Sequence, residues 1–379
     1  MVLGLGGDLA GIHGPLGRRG ATAHAHTGAG AGAGAGWRVA PAVARSPGRV
    51  PIPSSPARLL GQRIMVGLAG TSPGAALLRS VRRGEVGAVI LFSANLSTQR
   101  QTVALVRALQ RAARQGGNPP LLIAVDQEGG EVKRLPGGPP DLSPPQMVAT
   151  HSVATATREG RATGAYLKRW GINMDLAPVA DVPTFGGAFI ARQGRAFSFN
   201  AGTVSAYAAA FAFGLQSRGV AATAKHFPGL GSAASSTDVQ RQELHPTRTQ
   251  FAAGLKPYQR MIPRGLDAVM LSVAGYRALD RTGASAALSK PIISGLLRRQ
   301  LRFGGVTITD ALATTTGHDE RTAGVLAAAA GSDILLYTDS TPGELIALEA
   351  ALRHGQLHRA AAALSYGRVV ALKQQVAGR

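Results

Sequence analysis

The sequence predicts an α/β fold: a single (β/α)8 barrel of the TIM type. Three observations lead there. Eight short apolar runs recur along the chain from about residue 57 onward. Helix-like stretches separate them. Several of the runs end abruptly on a polar or charged residue, and parallel barrels keep their chemistry at the C-terminal ends of their strands.

The candidate strands are Arg63–Ala69, Gly87–Phe92, Leu121–Asp126, Ile172–Val179, Val220–Lys225, Ala268–Val273, Val306–Asp310 and Asp333–Tyr337. Each is a short run of aliphatic residues bounded by turn-forming or charged residues, which reads as a buried strand. Between them lie helical stretches: Thr98–Arg114, His151–Trp170, Ala201–Arg218, Lys290–Arg299 and Arg321–Ala330. Beyond Tyr337 the pattern stays helical, over Gly343–Leu352 and Ala360–Gln375. Strand and helix alternating eight times is the mark of a (β/α)8 barrel. A doubly wound open sheet is the alternative, but no G-x-G-x-x-G follows a strand where dinucleotide binding would need it. The loops after the third, fourth and fifth strands are long, as functional loops often are.

Residues 1–56 read differently. Thr27 to Gly36 alternates Gly and Ala, and Pro41 to Pro56 is rich in Pro, Ser and Arg. Such composition buries too little surface to offset its ordering entropy. It is expected to be a disordered leader, with residues 57–379 forming the barrel domain and folding from Pro56-Ala57-Arg58-Leu59-Leu60. The first twelve residues carry Asp8 and no early positive charge, so they make a poor secretory signal. Arg18-Arg19 before an Ala/Gly stretch is the nearest approach to a twin-Arg signal, and a misplaced start codon explains the leader at least as well. Localisation therefore stays open between cytoplasm and cell envelope.

Composition narrows the classes. With 45% hydrophobic residues, the 379-residue chain can bury a sizeable core. It has no cysteine, which excludes disulfides, thiolate nucleophiles and Cys-ligated zinc. The net charge is +21, and six of the 41 basic residues are Lys. A nucleic-acid binder would also be basic, yet the arginines look scattered along the sequence and no nucleic-acid motif is present. Attraction to anionic polymers such as cell-wall fragments fits the charge equally well. No run reaches transmembrane length. No cofactor is expected, and a monomer is favoured.

Three strand ends carry reactive groups: Asp126-Gln127-Glu128 after the third, Lys225-His226 after the fifth and Asp310 after the seventh. A carboxylate placed directly after an apolar run must be paired, solvated or used. Two carboxylates across one pocket are the minimum for glycoside hydrolysis.

With these residues in view, the chain resembles glycoside hydrolase family 3, in its β-N-acetylhexosaminidase branch. Val125-Asp126-Gln127-Glu128-Gly129-Gly130 with Arg134, Asp175-Leu176-Ala177-Pro178-Val179-Ala180-Asp181, Gly194-Arg195-Ala196-Phe197-Ser198, Lys225-His226-Phe227-Pro228-Gly229 and Phe303-Gly304-Gly305-Val306 through Thr309-Asp310 stand in the family's order. The resemblance spans about residues 58 to 340. It implies that Asp310 is the nucleophile and that Asp126, Arg134, Arg195, Lys225 and His226 hold the sugar. It further implies a retaining exo-β-glycosidase acting on N-acetylglucosamine of cell-wall fragments.

One departure complicates this. The branch continues K-H-F-P-G-H-G-x-x-x-x-D-S-H, the last His being the general acid/base and the Asp its orienting partner. Counted without gaps, the His position is Asp238, the Asp position is Ser236, and the earlier His is Leu230. Either Asp238 replaces the imidazole, or a gap aligns Asp238 with the family's Asp and leaves Gln240 in the His place. The first reading gives an enzyme with Asp238 as acid/base. The second gives an impaired enzyme or a sugar-binding sensor. Glu243 and His245 could also supply a proton if the Ser232–Thr237 loop folds over. No metal site is expected: His13, His24 and His26 lie in the leader, and His318-Asp319-Glu320 lacks partners at ligand spacing. No G-x-S-x-G elbow is present.

Overall fold

The structure is a computed structural model that describes residues 50–313, 316–338 and 343–378. The leader expected over residues 1–56 lies outside the described residues up to residue 49. From Pro56 onward the chain is helical, with Ser55 capping the helix Pro56–Gly61 through Arg58 N–H.

Eight parallel strands form the barrel: β1 Ile64–Val66, β2 Ala88–Ile90, β3 Leu122–Val125, β4 Met174–Asp175, β5 Ala221–Phe227, β6 Ala268–Leu271, β7 Val306–Thr309 and β8 Leu335–Tyr337. Each pairs with its sequence neighbour, and β8 pairs with β1, Met65 opposite Leu336. A bridge between Ile308 and Ile334 joins β7 to β8 and closes the ring. Every expected strand is present. The regular pairing is shorter than the apolar run in most, because run ends turn out into the loops.

Side-chain alternation explains why the runs are apolar throughout. Met65, Ile90, Leu122, Met174, Met270 and Ile308 point into the barrel. Their neighbours Ile64, Val66, Val89, Ile123, Val125 and Val269 point out under the helices. A strand buried on both faces has no polar side to show.

Two longer helices, Ala75–Arg83 and Arg248–Met261, and two short ones, Pro144–Ala149 and Phe189–Arg192, were not among those expected. The helix Arg248–Met261 holds Pro257 in its interior, which masks it as a turn. A hairpin, Gln127–Gly129 against Val132–Lys133, grows from the end of β3.

The last helix, Arg359–Gly378, sends Val369, Leu372 and Val376 into the inner core. Polar pairs tie it to residues just before three strands. Arg368 Nη2 lies 2.7 Å from Asp333 Oδ1, Lys373 Nζ donates to Gln62 at 2.6 Å, and Gln375 donates to Asp267 at 2.5 Å. This helix therefore packs across the N-terminal end of the barrel and leaves the C-terminal end as the open one. Burial alone would raise the Asp333 carboxyl, but Arg298 and Arg368 outweigh it and hold that carboxyl below the usual range. Burial without a neighbouring carboxylate pushes the Lys373 amine down to about 7.

Candidate active site

The strand ends meet at a cavity of about 390 Å³ in the C-terminal mouth. All seven residues singled out from the sequence line it: Asp126, Arg134, Arg195, Lys225, His226, Asp238 and Asp310. Ile90, Leu176, Met270 and Leu336 supply apolar walls.

The hairpin after β3 brings Arg134 to Asp126. Gln127 pins it, accepting from Leu135 N–H at 3.0 Å and donating to Leu135 O at 3.2 Å and to Pro139 O at 2.9 Å. Gly129 takes φ 99°, and a Cβ there would stand 2.9 Å from Pro140 Cγ, so the turn requires glycine. Arg134 N–H then donates to Asp126 O at 3.2 Å, and its guanidinium stands 3.8 Å from the Asp126 carboxylate.

A charge network fills one side of the cavity. Lys225 Nζ lies 2.7 Å from Asp126 Oδ1 and 2.6 Å from Glu128 Oε1. Arg195 grips Glu128 with two bonds, Nε at 2.7 Å and Nη2 at 2.8 Å, a fork geometry available to Arg and not to Lys. Burial would raise the Glu128 carboxyl, but Lys225 and Arg195 hold it at about 2. Burial would likewise lower the Lys225 amine, yet Asp126 and Glu128 keep it above its ordinary value. Both cations are thus fixed and charged at the cavity wall.

His226 is held from behind. Its Nδ1 lies 2.7 Å from Asp181 Oδ2, while Asp181 Oδ1 accepts the backbone N–H of Leu230 at 2.7 Å and of His226 at 3.2 Å. Asp181 is fully buried. With Nδ1 committed, Nε2 remains as the ring nitrogen able to meet a ligand.

Asp310 follows β7. Its N–H donates to Leu271 O and its Oδ1 accepts Ala311 N–H, each at 2.9 Å. Burial pushes its carboxyl above the ordinary value, His226 pulls it down, and Asp238 pushes it up again. Asp238 sits in an exposed stretch, where Ser236 Oγ donates to its Oδ2 at 3.2 Å and accepts its N–H at 3.1 Å. Gln240, Glu243 and His245 do not line the cavity. Glu243 is instead ion-paired with Arg277 and bridged to Gly275. His13, His24 and His26 lie outside the described residues.

Two residues of this site were given no role from the sequence, Glu128 and Asp181. Both stood inside quoted motifs, and both are carboxylates in apolar surroundings that demand partners. Their partners lie 67 and 45 residues away along the chain.

Comparison with known proteins agrees with this architecture. A family model described as the glycosyl hydrolase family 3 N terminal domain matches residues 60–372. An uncharacterized secreted glycosyl hydrolase of Arthroderma benhamiae is 35% identical over 328 residues, covering 83% of this chain and 92% of that one. A beta-hexosaminidase of Stenotrophomonas maltophilia is 33% identical over 266 residues, covering 67% and 76%. Among solved structures, a glycoside hydrolase family 3 beta-N-acetylglucosaminidase from Paenibacillus sp. superposes with a TM-score of 0.80 at 32% identity. That match covers 85% of this chain and 62% of that one, so the chain spans under two thirds of the Paenibacillus protein. A beta-N-acetylhexosaminidase from Beutenbergia cavernae gives 0.77 at 31% identity, covering 86% of this chain and 100% of that one. The chain belongs to glycosyl hydrolase family 3.

Proposed function

We propose that this protein is a retaining exo-β-N-acetylhexosaminidase that releases terminal N-acetylglucosamine from cell-wall fragments. One observation carries the catalytic assignment. Four carboxylates line the cavity, and two of them, Asp126 and Glu128, are neutralised by Lys225, Arg134 and Arg195. Asp238 and Asp310 are in no ion pair among the described residues. They are the two available for chemistry.

Asp310, ionised, attacks the anomeric carbon. The glycosidic C–O bond breaks, and the leaving oxygen takes its proton from Asp238. The sugar is then an ester of Asp310. A water loses its proton to Asp238 and attacks the same carbon, freeing the sugar and Asp310. The reaction starts from an ionised Asp310 and a protonated Asp238. Asp126, Arg134, Arg195, Lys225 and His226 hold the sugar hydroxyls, and the apolar wall packs on the ring.

The relatives named as beta-hexosaminidases and beta-N-acetylglucosaminidases support the choice of sugar. A chromogenic aryl N-acetylglucosaminide tests it beside the matching glucoside. Turnover of the first, at least tenfold faster, is expected. Equal or better turnover of the glucoside would overturn the sugar assignment. Binding of the N-acetylated sugar without turnover would make the protein a sugar sensor.

A further inference from the structure

The arginines that look scattered in the sequence gather on one flank of the barrel. The helices Ala75–Arg83, Gln99–Gln115 and Val153–Arg169 hold eleven Lys and Arg residues against a single acid, Glu159. On Gln99–Gln115, Arg100, Arg107 and Arg111 are seven and four residues apart. At 1.5 Å rise and 3.6 residues per turn they form one line, about 10 Å and about 6 Å between successive Cα positions. All three are exposed. They line an open groove of about 650 Å³ together with Gln99, Val103, Ala104 and Arg169. Gln99 Nε2 donates to Arg169 O at 3.2 Å and joins the two helices at this point. A second groove shares Arg169 and continues the basic surface through Lys168 and Arg218. Arg83 pairs with Glu85, but none of the groove cations Arg100, Arg107, Arg111, Lys168, Arg169 and Arg218 is in an ion pair among the described residues.

Like charges spaced near the Debye length, about 8 Å in physiological salt, reinforce one another and raise the local concentration of anions. Guanidinium forks match carboxylate and phosphate groups. The groove has no aromatic side chain on which a nucleic-acid base could stack. No large apolar side chain of the helix Gln99–Gln115 is exposed to enter a bilayer. A linear row of cations without stacking or insertion groups fits an extended polymer recognised by charge.

We propose that this flank binds an anionic glycan, a polysaccharide carrying carboxylate or phosphate groups, and so tethers the enzyme to its polymeric surroundings. The choice of a glycan over other polyanions rests on the glycosidase reading; the surface itself does not. Because the groove shares no residue with the catalytic cavity, binding here leaves turnover of a small substrate unchanged.

The test uses the full chain and polygalacturonate as probe, with a neutral glucan and duplex DNA alongside. The triple variant Arg100→Gln, Arg107→Gln, Arg111→Gln keeps good helix formers at each position. A control variant, Arg260→Gln, Arg299→Gln, Arg353→Gln, removes the same net charge from exposed arginines elsewhere. Wild type and control are expected to bind polygalacturonate, with affinity falling steeply as salt rises. The groove variant should bind at least tenfold more weakly and cleave an aryl glycoside at the wild-type rate. No binding by wild type at 50 mM salt, taken as roughly the low-salt condition, would overturn the proposal. So would equal losses in groove and control variants, and so would preference for duplex DNA at equal salt. If the aryl glycoside is not cleaved by any variant, the glycosidase reading fails while the binding comparison still decides this one.

Discussion

Asp181 Oδ2 stands 2.7 Å from His226 Nδ1, and the other oxygen of the same carboxylate gathers the N–H groups of His226 and Leu230. One buried carboxylate thus sets both the ring and the backbone of the loop that follows β5. Asp181→Asn keeps an oxygen for the two backbone donors but presents N–H to Nδ1, forcing the other tautomer on His226. Loss of a charged hydrogen bond is worth about 1.5–3 kcal/mol, roughly 10–100-fold in kcat/KM. Melting temperature should change far less than it does in Asp181→Ala, which strands both backbone donors. Thermal melts and steady-state kinetics on the two variants check this.

Glu128 is held at about 2 between Lys225 and Arg195. A carboxyl depressed on folding contributes stability that is present above its ordinary value near 4.5 and is lost as pH falls toward 2. Glu128→Gln leaves Arg195 without its carboxylate and Lys225 with Asp126 as its remaining partner, and is expected to cost about 3–5 kcal/mol. Denaturant melts should show a loss near pH 7 that shrinks on acidification through this window. A constant difference at all pH values would contradict the ion-pair role.

Asp310→Asn should abolish turnover and leave sugar binding intact. A 2-deoxy-2-fluoro glycoside should label Asp310 covalently. Peptide mass spectrometry that finds the adduct on another residue would refute the nucleophile assignment.

Lys373 lies in the core at the closed end of the barrel with its amine lowered to about 7. Its folded pKa lies below the ordinary 10.5, so the unfolded chain binds the proton more tightly. The amine therefore destabilises the fold, fully below about 7 and not at all above 10.5. Lys373→Met should raise the melting temperature at pH 6, with the gain fading as pH rises through that window. A gain independent of pH would mean that packing, not charge, is responsible.

The strands could be read from the sequence because both faces are buried, so each run is apolar without interruption. The hairpin Gln127–Lys133 could not: Gln127, Glu128 and Lys133 are polar, and the segment is ordered by bonds from Gln127 to Leu135 and Pro139. Pro257 hid a helix whose hydrogen bonding tolerates it in context. Lys225, His226 and Asp310 were legible because they terminate apolar runs. Glu128 and Asp181 act through partners far along the chain, and sequence periodicity carries no such distance information. The same holds for Arg100, Arg107, Arg111 and Arg169, which meet across two helices.

Counted without gaps Asp238 takes the place of the family's acid/base histidine, with a gap Gln240 does, and the proposed assignment of Asp238 decides between an enzyme and a binding protein. A proton donor matters most for poor leaving groups, because good ones need little protonation. The direct measurement compares wild type and Asp238→Ala on an N-acetylglucosamine disaccharide and on the dinitrophenyl glycoside. The disaccharide rate should fall by orders of magnitude more than the dinitrophenyl rate, and azide should restore part of the latter. Equal slowing of both substrates, or none, would contradict Asp238 as acid/base.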